Sequence, residues 1–582
     1  MELQLVATSL AGAKLAAPPR LVNGPPIAFP PPACRLAPEN SCLLARWRSP
    51  PALERLGLLA LVLVYLATVL PNLGDDPIVG GDEGWIISSA ARLAEDGVFG
   101  SDLFRGFYGA EDHYYFNLPL HHLVLAGVFK VVGVGVAQAR LVSVLFGLAA
   151  LLLTFALGRR LGGPAVGLGA AALLLLLRLN VAPFSGLTLT DLGATARYDL
   201  VAVPYGLAAV LLLARRPDAP EPIDVALAGV LLGLAALTQF IGAFFVLPLV
   251  LFLLTAALPL TRRLLLAGVL VGAAVLPFLP YAAYATADWD DFRGQARAGE
   301  QEGTGSREFA DLLSPAYYWR QLRDEPDRYA AATGLDDSPH SLREALRRPS
   351  ARLALLLLAP VAVLYTLARG RRDALYRLLA FTFVALALQL ALFESTKRFV
   401  YWVAAVPFLC VALADLGRAV WSFDWKPAQS TTLARAAAVI VAVVFAVEGG
   451  AVALKDVWEA RDAPAYADFG RRLDAALPAG ASALGDNRLW PALRGRDYRS
   501  LLLLFYHTNP RISRERTTDV FGALERIDPD YLLLSPLSRQ MLTRLTPADA
   551  ADFDRFLRAR ADLVATVPDA AYGPIEVYKV RR

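Results

Sequence analysis

The sequence is poor in cysteine, in histidine and in net charge. Its three cysteines, Cys34, Cys42 and Cys410, are too few and too scattered for a disulfide framework or a thiolate metal site. The five histidines form neither a His-x-x-x-His pair nor the zinc-protease motif. The net charge of only +4 supplies no broad basic surface, so nucleic-acid binding has no support.

Apolar residues are abundant instead. Hydrophobic residues make up 56% of the chain, and its mean hydropathy is +0.45, which is typical of a membrane protein with several spans. Apolar segments long enough to span, or nearly so, lie near residues 55–73, 139–158, 164–181, 199–214, 223–238, 240–258, 263–284, 351–368, 374–393, 399–420 and 433–453. The sequence therefore predicts a mainly α, polytopic membrane helix bundle of about eleven spans.

Orientation depends on the apolar segment 119–135, which could either cross the membrane or lie along its face. If it lies on the surface and residue 55 starts in the cytoplasm, four Arg-rich loops all fall inside, as the positive-inside rule requires. Those loops carry Arg159-Arg160, Arg215-Arg216, Arg262-Arg263 and Arg369 with Arg371-Arg372. We therefore predict a juxtamembrane helix at 119–135. The segments then predicted outside are the first outer loop 74–138, the loops 182–198 and 285–350, residues 394–398 and the tail after 454.

Composition divides the chain into three predicted regions. Residues 1–50 are rich in Pro and Ala and predict a disordered cytoplasmic tail, or the product of a wrongly assigned upstream start codon. Residues 51–453 form the predicted transmembrane catalytic domain. Residues 455–582 are charged and predict a small extracytoplasmic α/β domain, with strands near 483–486, 531–534 and 576–580 and helices at 464–477 and 547–561.

The adjacent acids Asp82 and Glu83 follow the first apolar segment. Carboxylates at a membrane–water boundary cost free energy unless they have a function. Helical spacing from Trp85 to Glu95 puts the pair at a helix N-terminus, where neighbouring side chains point apart. One carboxylate can cap the helix while the other faces a cavity, so we expect Asp82 to act as a general base. Helix capping and dipole compensation alone are the alternative.

Charged residues at two other predicted outer segments are candidates for binding an anion. Arg197 and Asp199 stand where a span re-enters the membrane, and Arg197 could clamp a phosphate or simply pair with Asp199. Lys397 and Arg398 break the positive-inside rule on the outer face, which suits a lipid phosphate or generic lipid contact.

Acids and histidines cluster in the first outer loop, which is one signal of a metal site. The candidates are Glu111-Asp112-His113 and His121-His122. Their spacing matches no closed site, so no metal ligand is assigned and a divalent metal is left open.

Five short motifs carry a family resemblance when they are taken in order. They are Gly81-Asp82-Glu83; the run Tyr-Tyr-Phe-Asn-Leu-Pro-Leu at 114–120; the segment 139–162, which begins Ala-Arg-Leu-Val-Ser; Ala196-Arg197-Tyr198-Asp199; and the run Lys-Arg-Phe-Val-Tyr-Trp at 397–402. Together they resemble the GT-C superfamily of membrane glycosyltransferases, particularly families 39 and 83. Those families include protein O-mannosyltransferases and lipid A aminoarabinose transferases.

The resemblance implies a sugar donor carried on a polyprenyl phosphate, and it implies site residues. Asp82 matches the catalytic carboxylate, with Glu83 beside it. Donor phosphate binding is expected from Arg197, Lys397 and Arg398, and substrate contacts are expected from Asp199, Tyr114, Asn117 and His121. Family members with Glu-Lys-Pro-Pro in the second motif have an acid there, whereas this chain has Phe-Asn-Leu-Pro at 116–119. A role that depends on that acid is therefore not carried over.

The predicted function is inverting transfer of a hexosyl or pentosyl group from a polyprenyl-phosphate donor to a hydroxyl acceptor on a lipid, glycan or protein. The reaction is expected at the outer face of the cell (inner) membrane. Two alternatives stay open: a flippase or other transporter of lipid-linked sugars, and a non-catalytic assembly protein of the cell envelope. The collection of charged residues at one face, rather than along a path through the membrane, favours the enzyme.

Overall fold

The computed structural model describes residues 51–177, 189–303, 311–326, 328, 351–423, 428–513, 519–543 and 545–581. The predicted tail 1–50, part of the predicted loop 182–198 and much of the predicted loop 285–350 lie outside the described residues. The described chain is mainly helical and has a small sheet near its C-terminus, as the sequence predicts.

Helices in the described ranges are numbered in chain order. They are α1 (Pro51–Val69), α2 (Gly81–Glu95), α3 (Leu120–Val132), α4 (Val136–Gly162), α5 (Pro164–Leu176), α6 (Leu189–Gly193), α7 (Tyr198–Ala214), α8 (Pro222–Thr238), α9 (Val246–Leu254), α10 (Leu260–Val275), α11 (Phe278–Ala287), α12 (Trp289–Gly303), α13 (Pro315–Arg323), α14 (Ala351–Gly370), α15 (Ala374–Phe393), α16 (Val406–Ser422), α17 (Ala428–Arg461), α18 (Tyr466–Ala475), α19 (Trp490–Leu493), α20 (Leu502–Thr508), α21 (Val520–Ile527), α22 (Pro536–Leu542) and α23 (Pro547–Arg560). Short 3₁₀ helices lie at Asp102–Phe104, Phe240–Phe245, Asp311–Leu313, Phe399–Ala404 and Asn487–Leu489.

Each predicted apolar segment coincides with a helix or with two consecutive helices. Among the described residues, four helices are long and apolar enough to cross a membrane, namely α1, α4, α15 and α17. The consecutive helices α10 and α11 meet the same criterion together, with a bend of 46° between them. The remaining apolar stretches that could be assessed, such as Leu357–Gly370 of α14, have 10–17 residues, so the number of about eleven crossings stays a prediction.

Helix α3 covers the ambiguous apolar segment near residue 120. Its 13 residues correspond to about 20 Å of helix, which is shorter than the hydrocarbon layer of about 30 Å. Its buried residues Leu125, Ala126 and Phe129 pack into the same apolar core as α2 and the C-terminal domain. Whether α3 lies at the membrane surface stays a prediction.

The C-terminal domain is built on a mixed five-stranded sheet. Its strands are β1 (Ala483–Gly485), β2 (Tyr498–Ser500), β3 (Tyr531–Leu534), β4 (Ala561–Val567) and β5 (Ile575–Val580), in the order β2-β1-β3-β5-β4. Strand β1 pairs in parallel with β2 and β3, whereas β5 is antiparallel to β3 and β4. Strands β1, β3 and β5 lie where the sequence predicts strands, and β2 and β4 were not predicted. Helix α17 continues to Arg461, beyond the start predicted for the domain at residue 455.

Two apolar cores organise the described chain. One lies among the membrane helices, and the other joins the first outer loop to the C-terminal domain. In the second core, Phe104 lies between Trp85 and Phe116, with ring centroids 5.1 Å and 4.6 Å away. Phe107 of the same loop contacts Tyr506 of α20 at 5.0 Å. The loop that carries Asp82 is therefore fixed by the domain at the other end of the chain.

Helix α2 approaches the C-terminal domain most closely at Gly84. A Cβ added to Gly84 would lie 1.8 Å from the carbonyl oxygen of Asn487, so only glycine fits. One turn earlier along the chain, the backbone N–H of Val79 donates to the hydroxyl of Tyr572 at 2.7 Å. These contacts fix the start of α2 against the domain.

We expect Gly84→Ala to destabilise the protein because its methyl group would force α2 away from Asn487. Overpacking of this kind costs about 1–3 kcal/mol, which thermal unfolding in detergent should register as a lower Tm. The matched control is Gly81→Ala, since a Cβ at Gly81 in the same helix turn meets no atom within 4 Å. Equal Tm values for the two variants would contradict the close docking.

Candidate active site

The two acids at the start of α2 have different surroundings. Glu83 is buried, with 2% of its surface exposed, and its carboxylate accepts the backbone N–H of Gly80 at 2.9 Å. Asp82 keeps 41% of its side-chain surface exposed. The capping contact expected for one member of the pair is thus made by Glu83, and Asp82 is the carboxylate that solvent or a substrate can reach.

Glu83 forms a fully buried ion pair with Arg140 of α4. Arg140 donates from Nε and Nη2 to the two carboxylate oxygens of Glu83, each at 2.8 Å, and from Nη1 to the carbonyl of Leu73 at 3.0 Å. The same carboxylate accepts the backbone N–H of Ala196 at 2.8 Å. Both charges are therefore paired and hydrogen-bonded, which offsets the cost of burying them. Glu83 connects α2, α4 and the residue before Arg197.

Arg197 joins Asp82 to Asp199. It precedes α7 in extended conformation, with φ −127° and ψ 134°, and its side chain is 18% exposed. Its Nη1 donates to Asp82 at 2.9 Å, and its Nε donates to Asp199 at 2.8 Å. Asp199 is buried and also accepts a hydrogen bond from the side chain of Gln239 at 3.1 Å. These contacts fix the Asp82 carboxylate in one orientation while leaving part of it open.

Arg398 completes the group of charges. Its side chain is exposed, and it interacts electrostatically with Asp82, Tyr198 and Tyr401. Within the described residues, its guanidinium makes no hydrogen bond or ion pair. Arg197 is committed to two carboxylates, whereas Arg398 has its donors free for an anion that enters the site.

Lys397 does not join this group, in contrast to its predicted role. Its ammonium group donates to the carboxylate of Glu325 at 2.9 Å and to the carbonyl of Ala391 at 2.7 Å. Only 6% of its side-chain surface is exposed. The backbone of Lys397 is left-handed, with φ 52°, and its side chain and that of Arg398 have opposite environments. The ammonium group of Lys397 is therefore enclosed, whereas the side chain of Arg398 is accessible.

The predicted substrate contacts Tyr114 and His121 are also inaccessible. Both side chains are fully buried, and burial lowers the pKa of His121 to about 3, so this imidazole is neutral at physiological pH. Asn117 is half-buried and donates to the Tyr114 hydroxyl at 3.0 Å. Of the four predicted substrate contacts, Asp199 belongs to the site because it pairs with Arg197, and the side chain of Asn117 is partly accessible.

No group of three or more metal-ligating side chains occurs in the described ranges. His113 Nε2 instead lies 3.3 Å from Asp288, and Glu111 accepts the backbone N–H of Gly106 at 3.1 Å. Two of the metal candidates from the sequence, His113 and Glu111, thus interact with other groups.

Two residues of the site were missed as site residues. Arg140 lies within a predicted span, and a charge there is itself a signal of a buried partner. Gln239 is the polar residue between two apolar segments. Neither position indicates its partner, because each partner comes from a distant part of the chain.

Comparisons with known proteins agree with this architecture. The family model for dolichyl-phosphate-mannose-protein mannosyltransferase matches residues 117–281. No curated protein sequence matches significantly. Among solved structures, ArnT from Cupriavidus metallidurans bound to undecaprenyl phosphate aligns with a TM-score of 0.56 and 16% identity, over 91% of this chain and 99% of that chain.

A second type of structure is also similar. The oligosaccharyltransferase of Archaeoglobus fulgidus in its apo form aligns with a TM-score of 0.53 and 13% identity, over 83% of this chain and 69% of that chain. The same archaeal enzyme, AglB, in complex with an inhibitory peptide and a dolichol-phosphate, has a TM-score of 0.51 and 13% identity, over 83% of this chain and 69% of that chain. The resemblance to the GT-C superfamily drawn from the five motifs is thereby confirmed, and the chain has the fold of these membrane glycosyltransferases.

Proposed function

We propose that this protein is an inverting glycosyltransferase that moves a sugar from a polyprenyl-phosphate donor to a hydroxyl acceptor, with Asp82 as general base. The observation that carries the proposal is a half-open carboxylate, Asp82, held 2.9 Å from Arg197 and interacting electrostatically with the exposed guanidinium of Arg398, which has no hydrogen-bond partner among the described residues. The fold supports it, because the similar structures include ArnT bound to undecaprenyl phosphate and AglB with a dolichol-phosphate.

Asp82 would accept the proton of the attacking hydroxyl. One of its oxygens is engaged by Arg197, and its remaining oxygen is available to the acceptor. The acceptor oxygen bonds to the anomeric carbon while the bond from that carbon to the phosphate oxygen breaks, and the electron pair leaves with the phosphate. The transition state is oxocarbenium-like, as in glycoside hydrolysis. A single displacement inverts the anomeric carbon, and the leaving phosphate is already a stable anion that needs no general acid.

Arg398 would bind the donor phosphate. Arginine suits this task because its planar fork matches phosphate oxygens and remains charged at all relevant pH values. Arg197, whose guanidinium lies between Asp82 and Asp199, would add positive potential to the same region. Lys397 is assigned no phosphate contact, because its ammonium group is paired with Glu325.

Glu83 would act by positioning rather than by touching the substrate. All four hydrogen bonds at its carboxylate come from the protein, namely two from Arg140 and one each from Gly80 and Ala196. These donors belong to the segments that carry Asp82 and Arg197. Glu83 therefore sets the distance between the base and its arginine partner.

The site and the C-terminal domain would lie on the extracytoplasmic side of the cell membrane. This orientation follows from the Arg-rich loops that the positive-inside rule assigns to the cytoplasm. The acceptor would then be a lipid, glycan or protein hydroxyl that reaches the outer face.

We expect Asp82→Asn to lower sugar transfer by about 10²–10⁴-fold, because general-base catalysis contributes that factor. Transfer is measured in proteoliposomes containing cell-envelope lipids, with a panel of radiolabelled polyprenyl-phosphate sugars. The control is Asp112→Asn, which removes an exposed carboxylate from the same outer loop. Unimpaired transfer by Asp82→Asn would refute the base assignment. Donor movement across the bilayer without product would favour a flippase, and donor binding with neither would favour a scaffold.

We expect Arg398→Ala to weaken the binding of undecaprenyl phosphate alone by about 10–100-fold, the range for losing a charge-assisted hydrogen bond. Affinity is measured by calorimetric titration in detergent micelles. Arg293→Ala serves as the control because Arg293 is an exposed arginine of α12. Equal affinities of the two variants for undecaprenyl phosphate would contradict a contact between Arg398 and the phosphate.

A further inference from the structure

A second group of charges, three of them buried, lies next to Arg398. Its members are Glu325, Arg328, Glu394 and Lys397, and we call it the charge cluster. Arg328 donates from Nε to Glu325 at 2.8 Å and from Nη1 to Glu394 at 2.7 Å, and Lys397 donates to Glu325 at 2.9 Å. The side chains of Arg328 and Glu394 are 0% exposed. The cluster contains two acids and two bases, so its formal charge is balanced.

Arg328 also holds the backbone that leads to Arg398. Its Nη1 donates to the carbonyl of Arg398 at 3.0 Å, and its Nη2 donates to the carbonyl of Leu390 at 2.9 Å. Leu390 belongs to the last turn of α15, and its carbonyl also accepts the backbone N–H of the C-cap residue Glu394 at 3.3 Å. A single guanidinium therefore connects the end of α15 to Arg398, the residue before the next 3₁₀ helix.

Lys397 and Glu394 fix the interior of the same loop. Lys397 donates to the carbonyl of Ala391 at 2.7 Å, and the Glu394 carboxylate accepts the backbone N–H of Thr396 at 2.7 Å. The left-handed backbone at Lys397, with φ 52°, is unfavourable for a lysine and needs such support. The Lys397 side chain is buried in the cluster. The Arg398 side chain is exposed and interacts electrostatically with Asp82.

We propose that Arg328 is a positioning residue for donor binding, which holds the loop 394–398 so that Arg398 meets the donor phosphate. This inference rests on the proposed function, in which Arg398 contacts that phosphate. Arg328 does not touch the donor itself, because its guanidinium is fully enclosed by Glu325, Glu394 and backbone carbonyls.

A purely stabilising role is the competing explanation, and it makes a different prediction. Buried ion pairs contribute little net stability compared with apolar packing of the same volume, so stability alone is a weak reason for burying three charges of the cluster. If the cluster only stabilised the fold, its loss would lower the Tm and leave the folded protein with normal donor affinity. If Arg328 is a positioning residue, its loss weakens donor binding only while the Arg398 side chain is present.

A double-mutant cycle between Arg328 and Arg398 separates these explanations. Undecaprenyl phosphate is titrated into monodisperse wild-type protein, Arg328→Met, Arg398→Ala and the double variant. We expect Arg328→Met to weaken binding by about ten-fold, and the double variant to bind no more weakly than Arg398→Ala, because a positioning residue has nothing left to position. The control is Arg418→Met, which removes the partner of another buried carboxylate, that of Asp415, and should bind undecaprenyl phosphate like the wild type.

The outcomes distinguish the two proposals. Wild-type affinity for Arg398→Ala would refute the phosphate contact in the proposed function. Suppose that Arg398→Ala weakens binding as expected. Wild-type affinity for Arg328→Met would then refute the positioning role and leave the proposed function standing. Effects of the two changes that multiply in the double variant would do the same. If Arg328→Met is not monodisperse, Lys397→Met in the same cycle decides the question, because Lys397 supports the same loop through Glu325 and Ala391.

Discussion

The site depends on the buried ion pair between Glu83 and Arg140. The Glu83 carboxylate accepts hydrogen bonds from the backbone of Gly80, from the side chain of Arg140 in α4 and from the backbone of Ala196. These donors come from three separate parts of the chain. Loss of one partner from such a pair leaves an uncompensated buried charge and costs about 3–5 kcal/mol. Asp82 precedes Glu83 in α2, and Arg197 directly follows Ala196. The contacts of Glu83 therefore set the separation between Asp82, the proposed base, and its partner Arg197.

The first outer loop and the C-terminal domain act as one body around this pair. They share an apolar core, and Gly84 touches the backbone of Asn487 so closely that no side chain fits between them. The domain therefore supports the helix that carries the proposed base. A carboxylate on a helix held in this way keeps its orientation, which is what electrostatic preorganisation requires.

Much of this arrangement could be predicted from the sequence, and the limits have physical causes. Hydropathy located the apolar helices because burial in lipid selects long apolar runs, and the motifs identified Asp82, Arg197 and Asp199, which the structure brings together. Lys397 was expected beside Arg398, but its left-handed backbone and Glu325, 72 positions earlier, turn it away. Strand β2 has the sequence Tyr-Arg-Ser and lacks the apolar run by which β1 and β3 were predicted. Contacts between distant segments leave no local pattern.

The most direct test of the central claim is a structure of the protein with a polyprenyl-phosphate sugar and an acceptor hydroxyl bound. The account predicts that an Asp82 oxygen lies about 2.6–3.2 Å from the acceptor hydroxyl. It also predicts that this hydroxyl lies about 3–3.5 Å from the anomeric carbon, on the face opposite a phosphate held by Arg398. A phosphate bound away from Arg398, or an anomeric carbon that another carboxylate faces, would contradict the account.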